Sequence, residues 1–292
     1  MKKLLLSISV LLCSLSMNAQ TTEPVTISSG FNKDVICEDN SNISGTITTT
    51  TDTKAQGLCE NSFVFVSTDV DADGGVCGSD GVVEGSSGVN FKFNVSSSGV
   101  VNNALVMKGT YADGEAMDGT LVFETPTKAK TLYVAGMAAD AAGSVDITVN
   151  YNDGTSSDAT TWSVPDWGAG GGTVVKSGLK RMCSVDLSWG SEKAGDFQGG
   201  AAFYIYQTEI TTDSSKEIKS VYIKRADTGG HPSIFGLAIE PAESTGVNNI
   251  ENDANKTVQA VYGADGQQLN DAQHGVNIIK YSDGTTRKVV RK

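Results

Sequence analysis

A period-two alternation of apolar and polar residues constrains the fold of this sequence more than any other feature. It runs through residues 89–93, 145–151 and 218–224, and turns rich in glycine and aspartate separate such segments. Successive side chains of a strand point to opposite faces of its sheet, so this alternation predicts strands with one buried face. Many short strands without intervening helices predict an all-β fold, an antiparallel jelly-roll sandwich.

The predicted elements divide the chain into a large and a small β-domain. The strands of the large domain, residues 20–241, are placed at residues 63–66, 89–93, 104–107, 119–124, 131–135, 145–151, 202–210, 218–224 and 233–239. Residues 242–256 are small, polar and without periodicity, which predicts a linker. Residues 257–292 hold three further strands around two Asp-Gly turns and predict a small C-terminal β-domain.

The first nineteen residues have the order of parts of a secretory signal peptide. Lys2 and Lys3 precede an apolar stretch over residues 4–15, and the small residue Ala19 ends the segment. We expect cleavage after Ala19, and the mature chain at the outer cell surface or secreted. The alternative is a lipoprotein signal in which Cys13 carries the lipid. No later segment is apolar enough for a membrane-spanning helix.

The charge of the chain argues against polyanionic partners. The formal net charge is −12, from 22 basic and 34 acidic residues. Loss of Lys2 and Lys3 with the signal leaves 20 basic against 34 acidic residues, a net charge of −14. Such a chain repels phosphate backbones, so neither nucleic acid nor anionic membrane is an expected partner.

Four cysteines remain after signal cleavage: Cys37, Cys59, Cys77 and Cys183. In an oxidising compartment this even number permits two disulfides, and the sequence leaves all three pairings open. No Cys-x-x-Cys spacing occurs and the chain holds two histidines, so a zinc site is not expected.

An acidic loop predicts a Ca²⁺ site. Its carboxylates stand at positions one, three, five and twelve of a calcium-loop pattern, with Gly74 at position six: Asp69, Asp71, Asp73 and Asp80. Position twelve is normally glutamate, and position nine is Cys77, which offers no oxygen ligand. The alternative is an acidic surface turn. We expect any ion bound here to be structural.

Two tryptophans near glycine-rich segments are the candidate ligand-binding residues. Trp167 and Trp189 are predicted to expose indole faces on which a sugar ring can stack, with Asp166 and Arg181 as polar partners. The alternative is ordinary core packing, since an indole buries a large apolar area. Trp162 is assigned to the core because it lies in an alternating segment.

Catalysis has no motif to support it. Neither His231 nor His274 has a nucleophile in a recognisable pattern beside it, and no Gly-x-Ser-x-Gly elbow occurs. The glycine run at residues 168–172 lacks the strand-to-helix context of a phosphate loop. The sequence therefore predicts a protein that is not an enzyme, with a glycan-active enzyme as the least favoured alternative.

The C-terminal domain resembles the sorting domains of cargo of the Bacteroidetes type IX secretion system. The segments that carry the resemblance are residues 261–262, 265–267, 275–279, 284 and 287–292. The usual pattern has Gly-x-Tyr-x-Ile, and Asn277 stands here at the tyrosine position. The resemblance implies that the type IX export machinery recognises this tail, and that the protein is then released or anchored at the surface.

The large domain resembles a secreted module of the same bacteria with a galactose-binding-like jelly-roll fold. The matching segments, in the order of the module, are residues 29–38, 103–107, 125–134, 150–154, 164–167, 215–221 and 234–236. The resemblance implies a non-catalytic module whose partner is a glycan. The alternative is a structural or adhesive surface protein that displays its loops to a cell-surface protein.

Overall fold

A computed structural model describes most of the two predicted β-domains. The described residues are 22–37, 56–61, 64–65, 70–71, 74–96, 101–107, 116–183, 197–242, 257–282, 284 and 286–291, without the side chains of 56, 64–65, 70–71 and 197–202. The chain divides into two compact units, Met1–Ala242 and Glu243–Lys292. The described residues form strands and turns and no helix, which confirms the prediction of an all-β fold. They accordingly contain no helix that could cross a membrane.

The first unit, which we call the body, contains sixteen strands among its described residues. They are β1 (Glu23–Val25), β2 (Ile27–Ser29), β3 (Ile36–Cys37), β4 (Gln56–Cys59), β5 (Val64–Phe65), β6 (Val70–Asp71), β7 (Val82–Glu84), β8 (Asn90–Lys92), β9 (Leu105–Val106), β10 (Asp118–Ala139), β11 (Gly143–Tyr151), β12 (Thr160–Val164), β13 (Thr173–Cys183), β14 (Phe197–Thr211), β15 (Glu217–Arg225) and β16 (His231–Pro241). Apart from β3 and β4, which run parallel, every pair of these strands is antiparallel.

Strand β10 is shared between two groups of strands. Its first part, beginning at Asp118, pairs with β15 and β2, and β11 and β12 continue that group beyond β15. Its second part, to Ala139, pairs with β14 and β16. The pairing with β15 is irregular between Val122 and Thr127, around Pro126, which has no N–H to donate to a neighbouring strand. One long strand therefore replaces the two separate strands predicted at residues 119–124 and 131–135.

The core fills the space between these strand groups. Strand β11 alternates strictly between buried and half-buried residues, as predicted for a strand with one face on the core. Strand β16 is buried on both faces over ten residues, because the segment after β8 also covers it: Phe93 lies 5.6 Å from Phe235 between ring centroids. Trp162 of β12 is 8 % exposed, which confirms its assignment to the core.

The second unit, which we call the tail, is a single four-stranded antiparallel sheet. Its strands are β17 (Val258–Gly263), β18 (Gln268–Leu269), β19 (Gly275–Tyr281) and β20 (Thr286–Arg291), in the order β18-β17-β19-β20. Asn277 is the one residue buried in the tail's described part. Its amide accepts a hydrogen bond from Gln273 N at 2.9 Å and donates to the carbonyls of Gln273 and Gly275. Asn277 therefore holds the turn that leads into β19.

Candidate functional site

A cleft at the end of β2 combines amide, hydroxyl and aromatic side chains. A recess of about 180 Å³ is lined by Ile27, Ser28, Ser29, Gly30, Phe31, Asn94 and Asn102. A smaller recess adjoins it and shares Ile27, Phe31 and Asn94, with Thr26, Lys92 and Phe93 as its other lining residues. We call the two together the Phe31 cleft. Its described lining contains no aspartate, glutamate, histidine or cysteine, and Lys92 is its one ionisable side chain, so that lining offers mainly hydrogen bonds to a neutral molecule.

The backbone around Gly30 shapes one wall of the Phe31 cleft. Gly30 has a φ of +115°, and a Cβ atom there would lie 2.0 Å from the carbonyl oxygen of Thr120. Only glycine permits both the positive φ and this close approach to β10. The tight turn brings Phe31 round from the end of β2, and Phe31 packs half-buried against the core.

Asn94 and Asn102 also line the cleft, and hydrogen bonds to backbone carbonyls position their side chains. Asn94 Nδ2 donates to the carbonyl of Asn102 at 2.8 Å, and Asn102 Nδ2 donates to the carbonyl of Phe31 at 3.3 Å. Within the described part of the chain, neither amide oxygen accepts a hydrogen bond. Both residues are exposed. The cleft therefore presents two positioned amide oxygens to the solvent, each able to accept a hydrogen bond from a ligand hydroxyl.

Three of the four predicted ligand-binding residues lie close to one another in the structure, and none of them lines the Phe31 cleft. Asp166 and Trp167 follow β12, and Arg181 lies on β13. The Arg181 guanidinium carbon is 5.6 Å from the centroid of the Trp167 ring and 4.1 Å from that of Phe203. The fourth residue, Trp189, lies outside the described residues.

The expectation of an exposed Trp167 indole is wrong. Trp167 is 3 % exposed, and its ring packs 4.7 Å from that of Phe203 on β14. Its backbone is also held: Trp167 N donates to Ala138 O at 2.7 Å, and Tyr204 N donates to Trp167 O at 2.9 Å. These bonds fix Trp167 between β10 and β14, so its side chain packs in the core and Arg181 covers the aromatic pair. Arg181 thus makes a cation–π contact with the ring on which a sugar was expected to stack.

Asp166 is half-buried and shapes the loop beside Trp167. Its Oδ1 accepts a hydrogen bond from Gly168 N at 2.8 Å, and its carbonyl accepts one from the Tyr206 hydroxyl at 3.3 Å. Burial raises the pKa of Tyr206 above its usual value, so this hydroxyl stays protonated and donates at neutral pH. The carboxylate of Asp166 therefore stabilises a turn.

The predicted Ca²⁺ loop is described only in part. Asp69 and Asp73 lie outside the described residues, and Asp71 belongs to β6. Asp80 is exposed and accepts a hydrogen bond from Val82 N at 3.1 Å through its Oδ1, as a turn residue does. No group of three or more potential metal ligands occurs among the residues that the structure describes. The Ca²⁺ site stays a prediction.

A buried polar cluster joins the end of β15 to the start of β16. Arg225 is 5 % exposed; its guanidinium donates to the carbonyls of Gly229 and Gly230 and bonds to Asp227. His231 is 3 % exposed, with its Nε2 3.6 Å from Asp140 Oδ2. Ser233 is fully buried two residues along the same strand. Serine, histidine and aspartate thus share one region, but His231 and Ser233 are buried, so a substrate does not reach the serine hydroxyl.

The Phe31 cleft was not predicted from the sequence. Ser29, Gly30 and Phe31 belong to the segment that carries the resemblance to the secreted module, but no motif marks Asn94 and Asn102. Both lie next to the end of a short strand, where asparagine is common because it favours turns. The one sequence feature that could have indicated Asn94 and Asn102 is their position: Asn94 follows β8, and Asn102 precedes β9.

Comparisons with known proteins assign no family to the chain. No protein-family model matches it, and no curated protein matches it significantly. Among solved structures, the chain is similar to the K2 cleaved adhesin domain of Lys-gingipain (Kgp), with a TM-score of 0.28 and 9 % identity. That similarity covers 50 % of this chain and 76 % of the adhesin domain. At this TM-score the similarity carries no argument about the site or the function.

Proposed function

We propose that the body is a secreted, non-catalytic binding module for a neutral glycan, and that the Phe31 cleft is its binding site. The observation that carries the proposal is the cleft's lining. Two asparagine amides and two serine hydroxyls surround one half-buried aromatic ring, without an ionisable acid or base except the rim lysine Lys92. Sugar hydroxyls pair with amides and hydroxyls, while the apolar face of a pyranose packs on an aromatic ring.

The charge of the chain favours a neutral ligand over an acidic one. The mature sequence carries a net charge of −14. Such a charge lowers the local concentration of anionic polysaccharides, whereas a neutral glycan is not affected. Binding to a neutral glycan is therefore expected to change little between low and high salt, because screening has no large charge–charge attraction to weaken.

A glycan array probed with the mature chain, residues 20–292, tests the proposal. We expect saturable binding to at least one neutral polysaccharide. Asn94→Ala combined with Asn102→Ala is expected to weaken it about tenfold or more, because each lost hydrogen bond contributes about 1 kcal/mol. The matched control is Asn152→Ala, which removes an exposed asparagine from the turn after β11.

A second pair of variants separates the Phe31 cleft from the site predicted from the sequence. Asp166→Ala and Arg181→Ala remove the two polar groups beside Trp167. If these variants abolish binding while the asparagine variants leave it unchanged, the site lies beside Trp167 and our assignment of the cleft is wrong. A blank array would favour the adhesive alternative, in which the loops of the body contact a cell-surface protein.

For the tail, we propose recognition by the export machinery of the outer membrane. One face of its sheet carries Val276, Ile278 and Val290 at 37–44 % exposure, beside the basic residues Arg287 and Lys288. Exposed apolar side chains in a sheet of four strands are typical of a surface that a partner covers. We expect the full chain, expressed in a type IX-competent host, to reach the medium or the cell surface, and a chain ending at Ala242 to stay in the periplasm. Equal export of both chains would contradict this role.

We propose a structural Ca²⁺ site at the acidic loop. Binding to the native state must raise its melting temperature, so millimolar Ca²⁺ should shift the thermal transition of the mature chain. Asp71→Asn together with Asp80→Asn should remove the shift, because both carboxylate charges are lost. The amide oxygen introduced at position 80 can still accept the hydrogen bond from Val82 N, so the turn itself is kept. No shift with the unsubstituted chain would show that the loop is a plain turn.

A further inference from the structure

We propose that Cys37 and Cys59 form a structural disulfide that joins β3 to β4. The four cysteines of the mature chain are all buried. The sequence alone leaves three pairings open. The register of the strands distinguishes among them.

Cys37 and Cys59 lie directly opposite each other on neighbouring strands. In the parallel pair of β3 and β4, Ile36 is the partner of Leu58 and Cys37 is the partner of Cys59. Two backbone hydrogen bonds of 2.9 Å fix this register on either side, from Leu58 N to Val35 O and from Glu60 N to Cys37 O. Directly opposite residues of a parallel pair point to the same face of the sheet, so both sulfurs lie on one face.

The spacing of these strands suits a disulfide. Neighbouring strands are about 4.8 Å apart, and Cα atoms joined through a disulfide are usually about 4.4–6.8 Å apart. Both residues are 0 % exposed, so the bond would be formed within the core.

The other two cysteines are offset along the strands. Cys183 is the partner of Gln56, three residues from Cys59 on β4, which corresponds to about 10 Å along the strand. Cys77 borders β4 as well: Val76 N donates to Cys59 O at 2.8 Å, and Asn61 N donates to Cys77 O at 2.9 Å, so Cys77 lies beside the segment that follows Cys59. Cys77 is therefore the nearer competitor for Cys59, and Cys37 is the partner that needs no movement along the strand.

The reaction requires an oxidant from the thiol–disulfide class. Two thiols lose two protons and two electrons, one S–S bond forms, and the disulfide of oxidised glutathione or of a dithiol oxidase is reduced to two thiols. Burial, with a smaller contribution from Cys37, raises the pKa of Cys59 to about 12. The attacking thiolate is thus scarce in the folded chain, so the bond forms while β3 and β4 are still accessible during folding.

Oxidative refolding of the full mature chain tests the pairing. The reduced, denatured chain is refolded with oxidised glutathione, alkylated under denaturing conditions and digested without reductant. Trypsin leaves Cys59 and Cys77 together in residues 55–92, so a second protease that cleaves at aspartate must separate them at Asp69–Asp73. Mass spectrometry should then find Cys37 linked to Cys59. Any other partner for either residue, or alkylation of both, would overturn the proposal.

Thermal melting gives an independent readout. Closing the loop between Cys37 and Cys59 should raise the melting temperature of the oxidised chain by about 5–10 °C over the reduced chain. The shift should vanish in the double variant Cys37→Ala/Cys59→Ala and persist in the matched control Cys77→Ala/Cys183→Ala. A shift that persists without Cys37 and Cys59 would contradict the pairing.

Discussion

At the scale of single residues, the buried side chain of Asn103 makes four hydrogen bonds to the segment that leads into β3. It is fully buried, and its Oδ1 accepts hydrogen bonds from Val35 N at 2.8 Å and Ile36 N at 3.2 Å. Its Nδ2 donates to Asp34 Oδ1 at 2.6 Å and Ile36 O at 3.2 Å. One amide thus joins the segment before β9 to the start of β3, next to Cys37.

We predict that Asn103→Ala destabilises the body strongly. The substitution leaves buried backbone donors and an acceptor without partners, at a cost of about 3–5 kcal/mol in the free energy of unfolding. Urea denaturation of the purified chain measures this. The neighbouring variant Asn102→Ala, which removes an exposed amide, should cost about 1 kcal/mol or less. Equal stability of the two variants would show that the Asn103 network is dispensable.

Asp153 gives the stability of the chain a dependence on acidic pH. Its Oδ1 accepts hydrogen bonds from Thr155 Oγ1 and N, and its Oδ2 lies 3.1 Å from Lys216 Nζ. The hydrogen bond from the Thr155 side chain, followed by that from the Thr155 backbone, lowers the pKa of Asp153 to about 2 from its usual 3.8. A carboxyl whose pKa is lower in the folded state stabilises that state above pH 3.8, and this contribution is lost as the pH falls to about 2.

We predict that Asp153→Asn flattens the fall in melting temperature between about pH 4 and pH 2. Asparagine can still accept the hydrogen bonds of the turn but has no charge to lose in this range. Melting curves followed by circular dichroism at half-unit pH steps measure the difference. The control is Asp158→Asn, an exposed aspartate of the same loop region. A parallel fall in both the original chain and Asp153→Asn would mean that other carboxyls dominate acid unfolding.

At the scale of elements, the sequence predicts the regular strands and misses the irregular ones. Strand β11 alternates throughout, and its prediction at residues 145–151 is accurate apart from its first two residues. Strand β13 was not predicted, because its pairing with β14 shifts register three times, and Gly178 has a φ of +74°. Each shift interrupts the period-two pattern from which a strand is predicted. Arg181 was predicted as a polar partner of a ligand, whereas it lies on β13 over Phe203.

The position of Trp167 could not be predicted for a related reason. The glycines after it are exposed and three of them have positive φ, so the local sequence is typical of a loop. What buries the indole is Phe203, thirty-six residues later in the chain. The Phe31 cleft has the same character, since its walls come from segments far apart in the sequence that only the sheet pairing brings together.

The packing of the two strand groups depends on Gly136 of β10. A Cβ atom there would lie 2.7 Å from Ser233 O, 2.8 Å from Ile234 Cδ1 and 3.3 Å from Trp162 Cη2. We predict that Gly136→Ala lowers the free energy of unfolding by about 1–3 kcal/mol, because β16 and the indole must both move. Urea denaturation measures this. Gly78→Ala is the matched control, since its Cβ would meet only Asp80 Oδ1 at 3.5 Å, and equal effects would contradict the close packing at Gly136.

At the scale of the whole molecule, the two units differ in how they are stabilised. The body has a continuous core that includes fully buried side chains such as Phe91, Phe235 and Leu132. The tail is one sheet, and the described residues of its strands are half-buried or exposed except for Asn277. A single sheet of about 36 residues has little apolar area to offset the conformational entropy that folding removes.

We therefore predict that the body folds without the tail and that the tail does not fold alone. A chain of residues 20–242 keeps β16 complete, including the hydrogen bond from Ala242 N to Lys128 O, and should melt in one cooperative transition. A peptide of residues 257–292 should give the circular dichroism and narrow amide proton dispersion of an unfolded chain, because marginal sheets need a packed face. A folded peptide would show that the tail carries its own stability and needs no partner to cover Val276, Ile278 and Val290. Loss of cooperative melting from the shortened body would instead show that its core depends on residues beyond Ala242.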